Sequence, residues 1–369
     1  MIIIVGAGIS GSVLAHEYAT KLDKRVLIVE KRFHVGGNCY DFYDDAGVLV
    51  PLYGPHFFHT KNKGVWDYVS QFTEWHEYQH RVKSRVDGKL VPVPVNIETV
   101  NILLNQSISS EAEMVAWLEA NTEDIAEPAN GEEAALARVG QYMYEKLFKG
   151  YTKKQWDLDP SELAAAVLNR IPVRTNFDDR YFTDPYQAMP KHGYHKLFEN
   201  MLNHPNIEVR LNTDFFNVRA HLPEAEKVFF TGRIDSFFEK SVDSPLQYRS
   251  LNFEFESLEQ EWFQEGAQIN YPNDFDFTRI TEPKHATGQQ HVKTTIIREY
   301  PTWDGEPYYP VHNPKNERVF QEYQYLAERE AKNHIHFVGR LANYKYFNMD
   351  QAFENALSYF QSLEANRVK

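Results

Sequence analysis

The sequence is short of cysteine, of long apolar runs and of positive charge. Its single cysteine, Cys39, excludes an intramolecular disulfide and is typical of a reducing compartment, so we expect a cytoplasmic protein. Because no run of about 18 apolar residues occurs, we expect no insertion into a membrane. Lys and Arg number 39 against 52 Asp and Glu, and the resulting net charge of −13 argues against nucleic acid as a partner. An anionic substrate would need positive charge gathered in one pocket.

Internal repeats and low-complexity tracts are missing as well, which excludes repeat arrays and disordered chains. With 369 residues, 42% of them hydrophobic, the chain is long enough for two or three globular domains. The apolar start is unlike a secretory signal because no basic segment precedes it and its glycines follow a phosphate-binding spacing.

What the sequence does contain is a dinucleotide-binding fingerprint in its first 30 residues. An apolar strand over residues 1–5 runs into the turn Gly6-Ala-Gly-Ile-Ser-Gly11, and a helix is predicted over 12–22. A second strand over 25–29 then ends at Glu30. Strand, glycine turn, helix, strand and acid in this order are typical of a Rossmann βαβ unit.

Each part of the fingerprint has a physical role. Gly6 allows the tight turn, Gly8 lets the backbone approach a pyrophosphate, and Gly11 permits close packing of helix on strand. The helix N-terminus offers free N–H groups and the positive end of its dipole to the phosphates. Glu30 can accept hydrogen bonds from the hydroxyls of the adenosine ribose.

A second glycine pair follows the fingerprint, in Lys31-Arg-Phe-His-Val-Gly-Gly-Asn38. A basic pair with a second double-glycine turn is a common extension of flavin-binding Rossmann domains, and NAD-binding domains usually lack it. The extension therefore favours FAD as the cofactor. Because no second nicotinamide-binding fingerprint occurs, any NAD(P)H-linked reductant must bind transiently.

The rest of the chain alternates between helical, aromatic and strand-forming segments. A helical stretch is predicted over 107–168, with a loop near 127–131, and the segment 172–190 is aromatic and irregular. Short strands are predicted over 207–209, 227–230, 250–255, 294–299 and 334–338, and a closing helix over 351–363. Because the first strand and the last strand and helix suit one Rossmann layer, we expect a discontinuous domain with insertions.

The predicted fold class is α/β, with a discontinuous Rossmann-like FAD-binding domain, an inserted helical domain and an antiparallel β-sheet domain. The FAD-binding domain is expected over 1–90, 190–245 and 315–369, the helical substrate domain over 91–170, and the sheet domain over 171–189 and 246–314. Residues 172–185, which include two prolines and several aspartates, are predicted to form a mobile loop over the substrate.

Further motifs lie in order along nearly the whole chain. They are Tyr53-Gly-Pro-His-Phe-Phe-His59, Gly150-Tyr-Thr-Lys-Lys-Gln-Trp156, Arg170-Ile-Pro-Val-Arg174, Asp179-Arg-Tyr-Phe182, Tyr271, Thr278-Arg-Ile280, Pro307-Tyr-Tyr-Pro310 and Gly339-Arg-Leu-Ala-Asn-Tyr-Lys-Tyr346. Together with residues 5–30, these motifs resemble the bacterial UDP-galactopyranose mutases, flavoenzymes that interconvert UDP-galactopyranose and UDP-galactofuranose.

The resemblance implies an isomerase that contracts the sugar ring without net redox change. In that family reduced FAD presents its N5 atom as a covalent nucleophile to the anomeric carbon of galactose. Activity is therefore expected only after reduction by an external NAD(P)H-linked donor or a chemical reductant. The family also implies a cytoplasmic homodimer that supplies galactofuranose for cell-wall or cell-surface polysaccharides.

For the substrate, the resemblance implies a diphosphate site, a base slot and a sugar site. Arg170 and Arg279 would bind the diphosphate through their planar guanidinium groups, and together with His59 they are the expected catalytic side chains. Arg174 is expected to be structural. The other implied substrate residues are Phe148, Tyr151 and Trp156 at the uracil, Tyr181, Tyr309 and Tyr346 at the diphosphate, His80 near the sugar, and Asn270.

For the cofactor, the resemblance implies contacts from both ends of the chain. His56 and His59 are expected against the isoalloxazine ring, although such a His pair could also hold zinc if further ligands lay nearby. Arg340 is expected at the pyrophosphate and Asp350 at the ribityl chain or a helix terminus. The implied cofactor residues are Gly6, Gly8, Ser10, Gly11, Glu30, Lys31, Arg32, Asn38, His56, His59, Arg340, Tyr346 and Asp350.

The sequence departs from the family pattern at two positions. Asn348 stands where an Asp is frequent, which puts a required carboxylate near the diphosphate in doubt, and His80 stands where an Asn is frequent near the sugar. Each single Arg, Tyr or Trp named above could equally be an ordinary surface or core residue, and only their joint occurrence favours a binding role.

Two other functions use a similar cofactor layout. A flavin oxidase or desaturase of the amine-oxidase kind predicts net reduction of the flavin by an organic substrate, but it leaves the two arginines and Trp156 unexplained. A non-catalytic protein related to the prenyl-GTPase dissociation inhibitors is disfavoured by the intact phosphate turn and Glu30. A yellow purified protein would exclude this second alternative.

Overall fold

The computed structural model describes residues 1–169, 172–239, 242 and 244–365. Its strands are β1 (Ile2–Val5), β2 (Val26–Val29), β3 (Asp41–Tyr43), β4 (Leu49–Pro51), β5 (Phe58–Thr60), β6 (Trp75–Glu77), β7 (Val82–Val86), β8 (Lys89–Val93), β9 (Tyr186–Pro190), β10 (Ile207–Arg210), β11 (Lys227–Phe230), β12 (Tyr248–Leu258), β13 (Gln268–Asn270), β14 (Arg279–Thr281), β15 (Thr294–Thr302), β16 (Tyr309–Pro310) and β17 (Ile335–Phe337). Its α-helices are α1 (Ile9–Leu22), α2 (Lys63–Val69), α3 (Ile97–Leu104), α4 (Glu111–Asn121), α5 (Gly131–Met143), α6 (Gly150–Trp156), α7 (Ala165–Leu168), α8 (Gly193–Leu202), α9 (Phe215–Val218), α10 (Ile234–Phe237), α11 (Lys284–Thr287), α12 (Pro314–Ala331) and α13 (Met349–Ala365). A π-helical turn, Tyr144–Lys149, joins α5 to α6.

A parallel sheet with strand order β10-β2-β1-β11-β17 forms one layer of the fold. Ile2 and Ile4 of β1 point into the larger core, where they join Leu14 of α1 and Phe353 of α13. Ile3 points to the opposite side of the sheet and packs in a second cluster. Because both faces of these strands are covered, β1 and β2 are continuous Val, Ile and Leu runs.

The first and last parts of the chain share this layer. β17 pairs with β11 at the edge of the sheet, and α13 packs directly against α1 although their sequences lie more than 300 residues apart. The predicted fold class, a discontinuous Rossmann-like α/β layer with helical and antiparallel insertions, is confirmed.

A mixed, mainly antiparallel sheet with strand order β16-β12-β15-β14-β13-β7-β8 forms the second layer. Its longest ladder joins β12 to β15, from the Ser250–Thr302 pair to the Leu258–Thr294 pair. β7 and β8 belong to this sheet because β7 pairs with β13, whereas the sequence-based division assigned residues 1–90 to the FAD-binding domain. The division into three domains otherwise stays a prediction.

Short capped helices form the third part of the structure. The predicted helical stretch over 107–168 is divided into α4, α5, the π-helical turn, α6 and α7. α4 starts at a capping box in which Ser110 accepts from the backbone of Glu113, as its sequence favours. Gly140 breaks α5 with a φ of +73°, and a Cβ there would lie 2.0 Å from the carbonyl oxygen of Asn121. This close approach brings α4 against α5.

Residues 172–185 form an irregular segment that pairs with residues flanking β7 and β8 of the second sheet. Val173 pairs with Val95, and the backbone N–H of Tyr181 donates to the carbonyl of His80 at 2.8 Å. The backbone N–H of Ile97 also donates to the carbonyl of Asn176 at 3.2 Å, so the segment is tied to the fold at several points along its length. No helix in the described part of the chain is both long and apolar enough to cross a bilayer.

Candidate functional site

A cleft of about 500 Å³ opens at the carboxyl ends of the parallel strands, and we call it the glycine cleft. In sheets of this kind the carboxyl edge, at the point where the strand order reverses, is where ligands bind. The sequence-predicted cofactor residues that line it are Gly6, Gly8, Ser10, Glu30, Lys31, Arg32, Asn38, His56 and Arg340. Its other walls, which the sequence did not indicate, include Thr213, Asp214, Phe215, Phe216, Thr231, Arg233, Ser236, Glu306 and Met349.

The glycine turn has no room for side chains. Gly6 has a φ of +102°, and a Cβ on it would lie 2.3 Å from the hydroxyl of Thr231. A Cβ on Gly11 would lie 2.0 Å from the carbonyl oxygen of Gly6, so α1 can approach β1 only with glycine there. Gly37 has a φ of +57°, and a Cβ on it would lie 2.8 Å from the Cα of Gly8, so the two glycine turns lie against each other.

The N-terminus of α1 therefore presents bare backbone to the cleft. Gly8 is the N-cap of the helix and has no side chain with which to satisfy the first N–H groups. These donors and the positive end of the helix dipole suit a phosphate group.

Glu30 stabilises the glycine turn through hydrogen bonds to backbone N–H groups. One carboxylate oxygen accepts from the backbone N–H of Ala7 at 2.7 Å, and the other accepts from that of Arg32 at 2.8 Å. The side chain is 6% exposed, so its position is fixed before any ligand binds. Its remaining lone pairs can accept from ribose hydroxyls.

The basic pair after Glu30 has an acidic partner that the sequence did not reveal. Glu306 accepts from Lys31 Nζ at 2.7 Å and lies 3.5 Å from Arg32 Nη2. Arg32 also donates to Asn38 Oδ1 at 2.9 Å and lies 4.2 Å from the centre of the Tyr53 ring. The loop that carries Glu306 thus closes one side of the glycine cleft.

Four predicted cofactor residues do not line the glycine cleft: Gly11, His59, Tyr346 and Asp350. Gly11 allows α1 to pack closely against the end of β1 and does not face the cleft itself. Asp350 lies at the start of α13, where its Oδ1 is buried and has no hydrogen-bond partner in the part of the chain that the structure describes. Burial raises the pKa of Asp350. An orphaned acceptor of this kind suits a ligand hydroxyl.

A second group of side chains surrounds Arg279, and we call it the Arg279 cluster: Arg279, Glu299, Tyr151, Tyr309 and His80. Arg279 on β14 faces Glu299 on β15, and its Nε and Nη2 donate to the two carboxylate oxygens at 2.9 and 2.7 Å. The fork fixes the guanidinium and leaves Nη1 outside the pair. Tyr151, Tyr309 and His80 lie within electrostatic reach of Arg279.

Two tyrosines and an arginine connect the cluster to the glycine cleft. The rings of Tyr309 and Tyr346 stack with centres 5.3 Å apart, and the guanidinium of Arg340 lies 5.9 and 5.5 Å from these two centres. His56 lines the cleft, and its pKa is lowered to about 4 by burial and then by Arg340, with a smaller effect of Arg279. The two sites therefore adjoin.

The histidines between the two sites are held by aromatic neighbours. His80 stacks on Phe57 with ring centres 3.7 Å apart, and burial, followed by Arg279 and His59, lowers its pKa to about 3. It is therefore neutral near pH 7. His59 stacks on Phe182 at 3.6 Å, and its Nδ1 lies 2.5 Å from Asp184 Oδ2. Phe182 and Asp184 both belong to the segment 172–185.

The predicted base-slot residues lie mostly inside the fold. Trp156 is 9% exposed and its ring centre lies 6.5 Å from that of Tyr309. Phe148 is 7% exposed and belongs to the core of the helical part. Asn270 pairs with Arg279 across β13 and β14, so it lies beside the cluster.

The remaining predicted site residues are placed as follows. Tyr181 lies edge-on to Phe182, with ring centres 5.0 Å apart. Arg170 lies outside the described residues. Within the described ranges, no group of three or more His, Cys, Asp or Glu side chains is arranged to hold a metal ion.

Comparisons with known proteins identify relatives of this chain. A family model described as UDP-galactopyranose mutase matches residues 146–346, and one described as an NAD(P)-binding Rossmann-like domain matches residues 4–72. The probable UDP-galactopyranose mutase of Klebsiella pneumoniae is 40% identical over 96% of this chain and 92% of its own length. The dTDP-fucopyranose mutase of Escherichia coli is 37% identical over 98% of this chain and 97% of its own.

Solved structures show the same fold at lower identity. A crystal structure of reduced UDP-galactopyranose mutase matches with a TM-score of 0.78 and 14% identity, over 100% of this chain and 94% of that one. A double mutant of putrescine oxidase matches with a TM-score of 0.55 and 13% identity, over 99% of this chain and 98% of that one. The fold is therefore shared between proteins with different named activities.

Proposed function

This chain belongs to the UDP-galactopyranose mutase family, a family of isomerases, and we propose that it interconverts UDP-galactopyranose and UDP-galactofuranose with FAD as its cofactor. One observation carries the proposal: the glycine cleft, built for a dinucleotide, adjoins a cluster in which a fixed arginine and several tyrosines converge. A cofactor and an anionic substrate could therefore meet at the boundary.

The residues of the glycine cleft fit FAD. The bare N-terminus of α1 would hold the pyrophosphate, Glu30 the adenosine ribose, and Arg340 the phosphates from the opposite side. The orphaned Oδ1 of Asp350 would accept from a ribityl hydroxyl. When bound and reduced, FAD supplies a nucleophilic N5 atom for the anomeric carbon of galactose, with no net redox change.

The Arg279 cluster would stabilise the UDP group as its bond to the sugar breaks. Because Glu299 already fixes Arg279, the guanidinium needs little reorganisation to meet developing charge on the diphosphate. Burial raises the pKa of both Tyr151 and Tyr309, so their hydroxyls stay protonated and can donate hydrogen bonds to phosphate oxygens. We propose Arg170 as the second diphosphate arginine.

We also propose that residues 172–185 form a lid over the substrate. The segment carries Tyr181, and it touches the site at its far end, where Phe182 and Asp184 contact His59. Closure would exclude water and hold His59 in one orientation. As further parts of the proposal, the protein acts in the cytoplasm as a homodimer, is reduced by an NAD(P)H-linked donor and supplies galactofuranose for surface polysaccharides.

The identity of the nucleotide sugar needs a direct comparison. The relative of E. coli is named for dTDP-fucopyranose, and its identity of 37% is close to the 40% of the K. pneumoniae relative. His80 also stands near the proposed sugar site, where the family frequently has an Asn. We therefore include dTDP-fucose as a competing substrate in the assay.

Chromatography of the nucleotide sugars tests the proposal. The purified protein is reduced anaerobically with dithionite and incubated with UDP-galactofuranose, and the oxidised protein serves as the control. We expect UDP-galactopyranose to form only with the reduced sample, and faster than any turnover of dTDP-fucofuranose. A purified protein that is colourless and retains no FAD would contradict the proposal. So would a protein that is yellow when purified but, once reduced, converts neither sugar.

A further inference from the structure

Arg249 on β12 is a buried cation with no role in the site described so far. Its side chain is 2% exposed, and its contacts are backbone carbonyls and an aromatic ring. Nε donates to the carbonyl of Gln155 at 2.9 Å, and Nη2 donates to that of Lys154 at 3.3 Å. The guanidinium lies 4.5 Å from the centre of the Trp303 ring. Nη1 is buried without a hydrogen-bond partner among the described residues.

These contacts fall on the last turn of α6. The final carbonyls of a helix lack partners within it, and a positive charge at this end is favoured by the helix dipole. Asp157 ends α6 in the left-handed region, with a φ of +53°, and its carboxylate accepts from Trp303 Nε1 at 2.7 Å. Arg249 and Trp303 thus fix the end of α6, where Trp156 lies.

The same arginine is joined to the strand that carries Tyr309. Arg249 pairs with Tyr309 across β12 and β16, and its carbonyl accepts from the backbone N–H of Tyr308 at 2.9 Å. One residue therefore holds both Trp156 and Tyr309, whose rings are 6.5 Å apart and inclined at 57°. The side chain of Lys154 gives α6 a further contact by donating to the carbonyl of Tyr271 at 2.7 Å.

We propose that Arg249 is a positioning residue for the nucleotide base of the substrate, because it sets the place of Trp156 relative to Tyr309. The inference rests on the proposed nucleotide-sugar function, in which Trp156 forms one wall of the base slot. Arg249 acts through α6 and not through the phosphates. Its loss should therefore weaken ligands that contain a base and spare ligands that do not.

The test compares UDP with inorganic pyrophosphate as ligands of the FAD-loaded protein. In Arg249→Met we expect the Kd of UDP to rise at least about tenfold, the range of one lost base–aromatic stack, while the Kd of pyrophosphate stays within about twofold. The KM of the nucleotide sugar should rise in parallel, with kcat and FAD content little changed. Arg249→Lys should recover part of the UDP affinity, because an ammonium group can still donate to one of the two carbonyls.

Two further variants keep the test decisive. Arg298→Met removes an arginine from the neighbouring strand that is paired with Glu254 and Glu256, and it should leave both affinities unchanged. Trp303→Phe replaces Arg249→Met as the test if that variant does not fold. It keeps an aromatic ring against Arg249 but loses the hydrogen bond to Asp157, and we expect it to raise the Kd of UDP several-fold.

The possible negative results separate the role of Arg249 from the proposed function. If the wild-type protein binds UDP and Arg249→Met binds it equally well, the positioning role is wrong and the proposed function stands. Equal weakening of UDP and pyrophosphate would also overturn the role, because the effect would then lie at the phosphates or in the fold as a whole. If the wild-type protein binds no UDP, both the inference and the proposed function fail.

Discussion

The glycine cleft and the Arg279 cluster differ in how the chain builds them. The cleft depends mainly on backbone: its two glycine turns lie within the first 40 residues, and no Cβ fits at Gly6, Gly11 or Gly37. The cluster is made by side chains from four separate parts of the chain: His80 just before β7, Tyr151 on α6, Arg279 and Glu299 on β14 and β15, and Tyr309 on β16. A backbone site tolerates few residues at its turns, whereas a side-chain site depends on the partners that orient each group.

The difference has consequences for how each site fails. Crowding the glycine turn should remove the cofactor and weaken the fold at the same time, because α1 packs on β1 through the same turn whose N–H groups would hold the phosphates. Changing the cluster should alter substrate affinity and turnover and leave cofactor content intact. The following variants separate these two behaviours.

The largest effect is expected for Gly11→Ala. Its new Cβ would lie 2.0 Å from the Gly6 carbonyl oxygen, so α1 must move away from β1. We expect the free energy of unfolding to fall by about 3 kcal/mol or more, with loss of bound FAD. Urea unfolding and flavin absorbance measure the two effects. Gly266→Ala is the matched control, because a Cβ at Gly266 meets nothing within 4 Å. A stable, fully yellow Gly11→Ala protein would contradict this account of the cleft.

The next effect is expected for Arg279→Lys. An ammonium group cannot reproduce the two-point bond to Glu299, so the cation loses its fixed orientation. We expect kcat/KM to fall by about 10² to 10³, in line with the cost of disturbing a desolvated charge contact. FAD content should equal that of the wild type. If FAD is lost as well, the two sites are not separable in the way we describe.

The pH dependence of stability tests the buried state of His80. Its pKa of about 3 in the folded protein lies below the ordinary value of 6.5, so folding favours the neutral ring. Its contribution to stability is complete above pH 6.5 and is lost as the pH falls from 6.5 toward 3. Between pH 7.5 and pH 5 the wild type should lose on the order of 2 kcal/mol more than His80→Asn.

Urea unfolding at the two pH values measures this difference, and only the change with pH is compared. His221→Asn replaces an exposed histidine and should behave as the wild type does. Equal acid sensitivity of the wild type and His80→Asn would mean that His80 is not held neutral by the fold.

The smallest effect is expected for the proposed lid. Asp184→Asn replaces the charged partner of His59 with a neutral amide, so the closed position of the segment 172–185 loses part of its stabilisation. We expect UDP to protect this segment from proteolysis less well, with a Kd for UDP raised by about two- to fivefold, the effect of weakening one partly exposed contact to a carboxylate. Asp178→Asn changes a carboxylate on the same segment that pairs with Arg180, and should protect normally. If the wild-type protein is cleaved in this segment at the same rate with and without UDP, the segment does not act as a lid.

The same contrast explains what the sequence could predict. The fingerprint strands and Glu30 were located to within a residue, because glycine spacing and apolar runs are local signals. The predicted helix began at Ser12 and the observed α1 begins at Ile9, since Gly8 acts as the N-cap and glycine is tolerated in the first turn. The closing helix over 351–363 was also found, slightly short at both ends.

What escaped prediction depends on contacts between distant segments. Glu299 lies 20 residues from Arg279, and only the β14–β15 register brings them together. Glu306 lies 275 residues from Lys31. The place of β7 in the large sheet depends on its pairing with β13, far along the chain. Arg249 gave no signal either, since one arginine in a strand is usually exposed.

The most direct test of the whole account follows the flavin and the sugar in one anaerobic sample. The dithionite-reduced protein is mixed with a large excess of UDP-galactofuranose, and flavin absorbance is recorded while product is counted per bound flavin. The account predicts many molecules of UDP-galactopyranose per flavin, with the flavin still reduced at the end. A single product per flavin, formed with a matching change in flavin redox state, would contradict it and would favour an oxidase-like reaction.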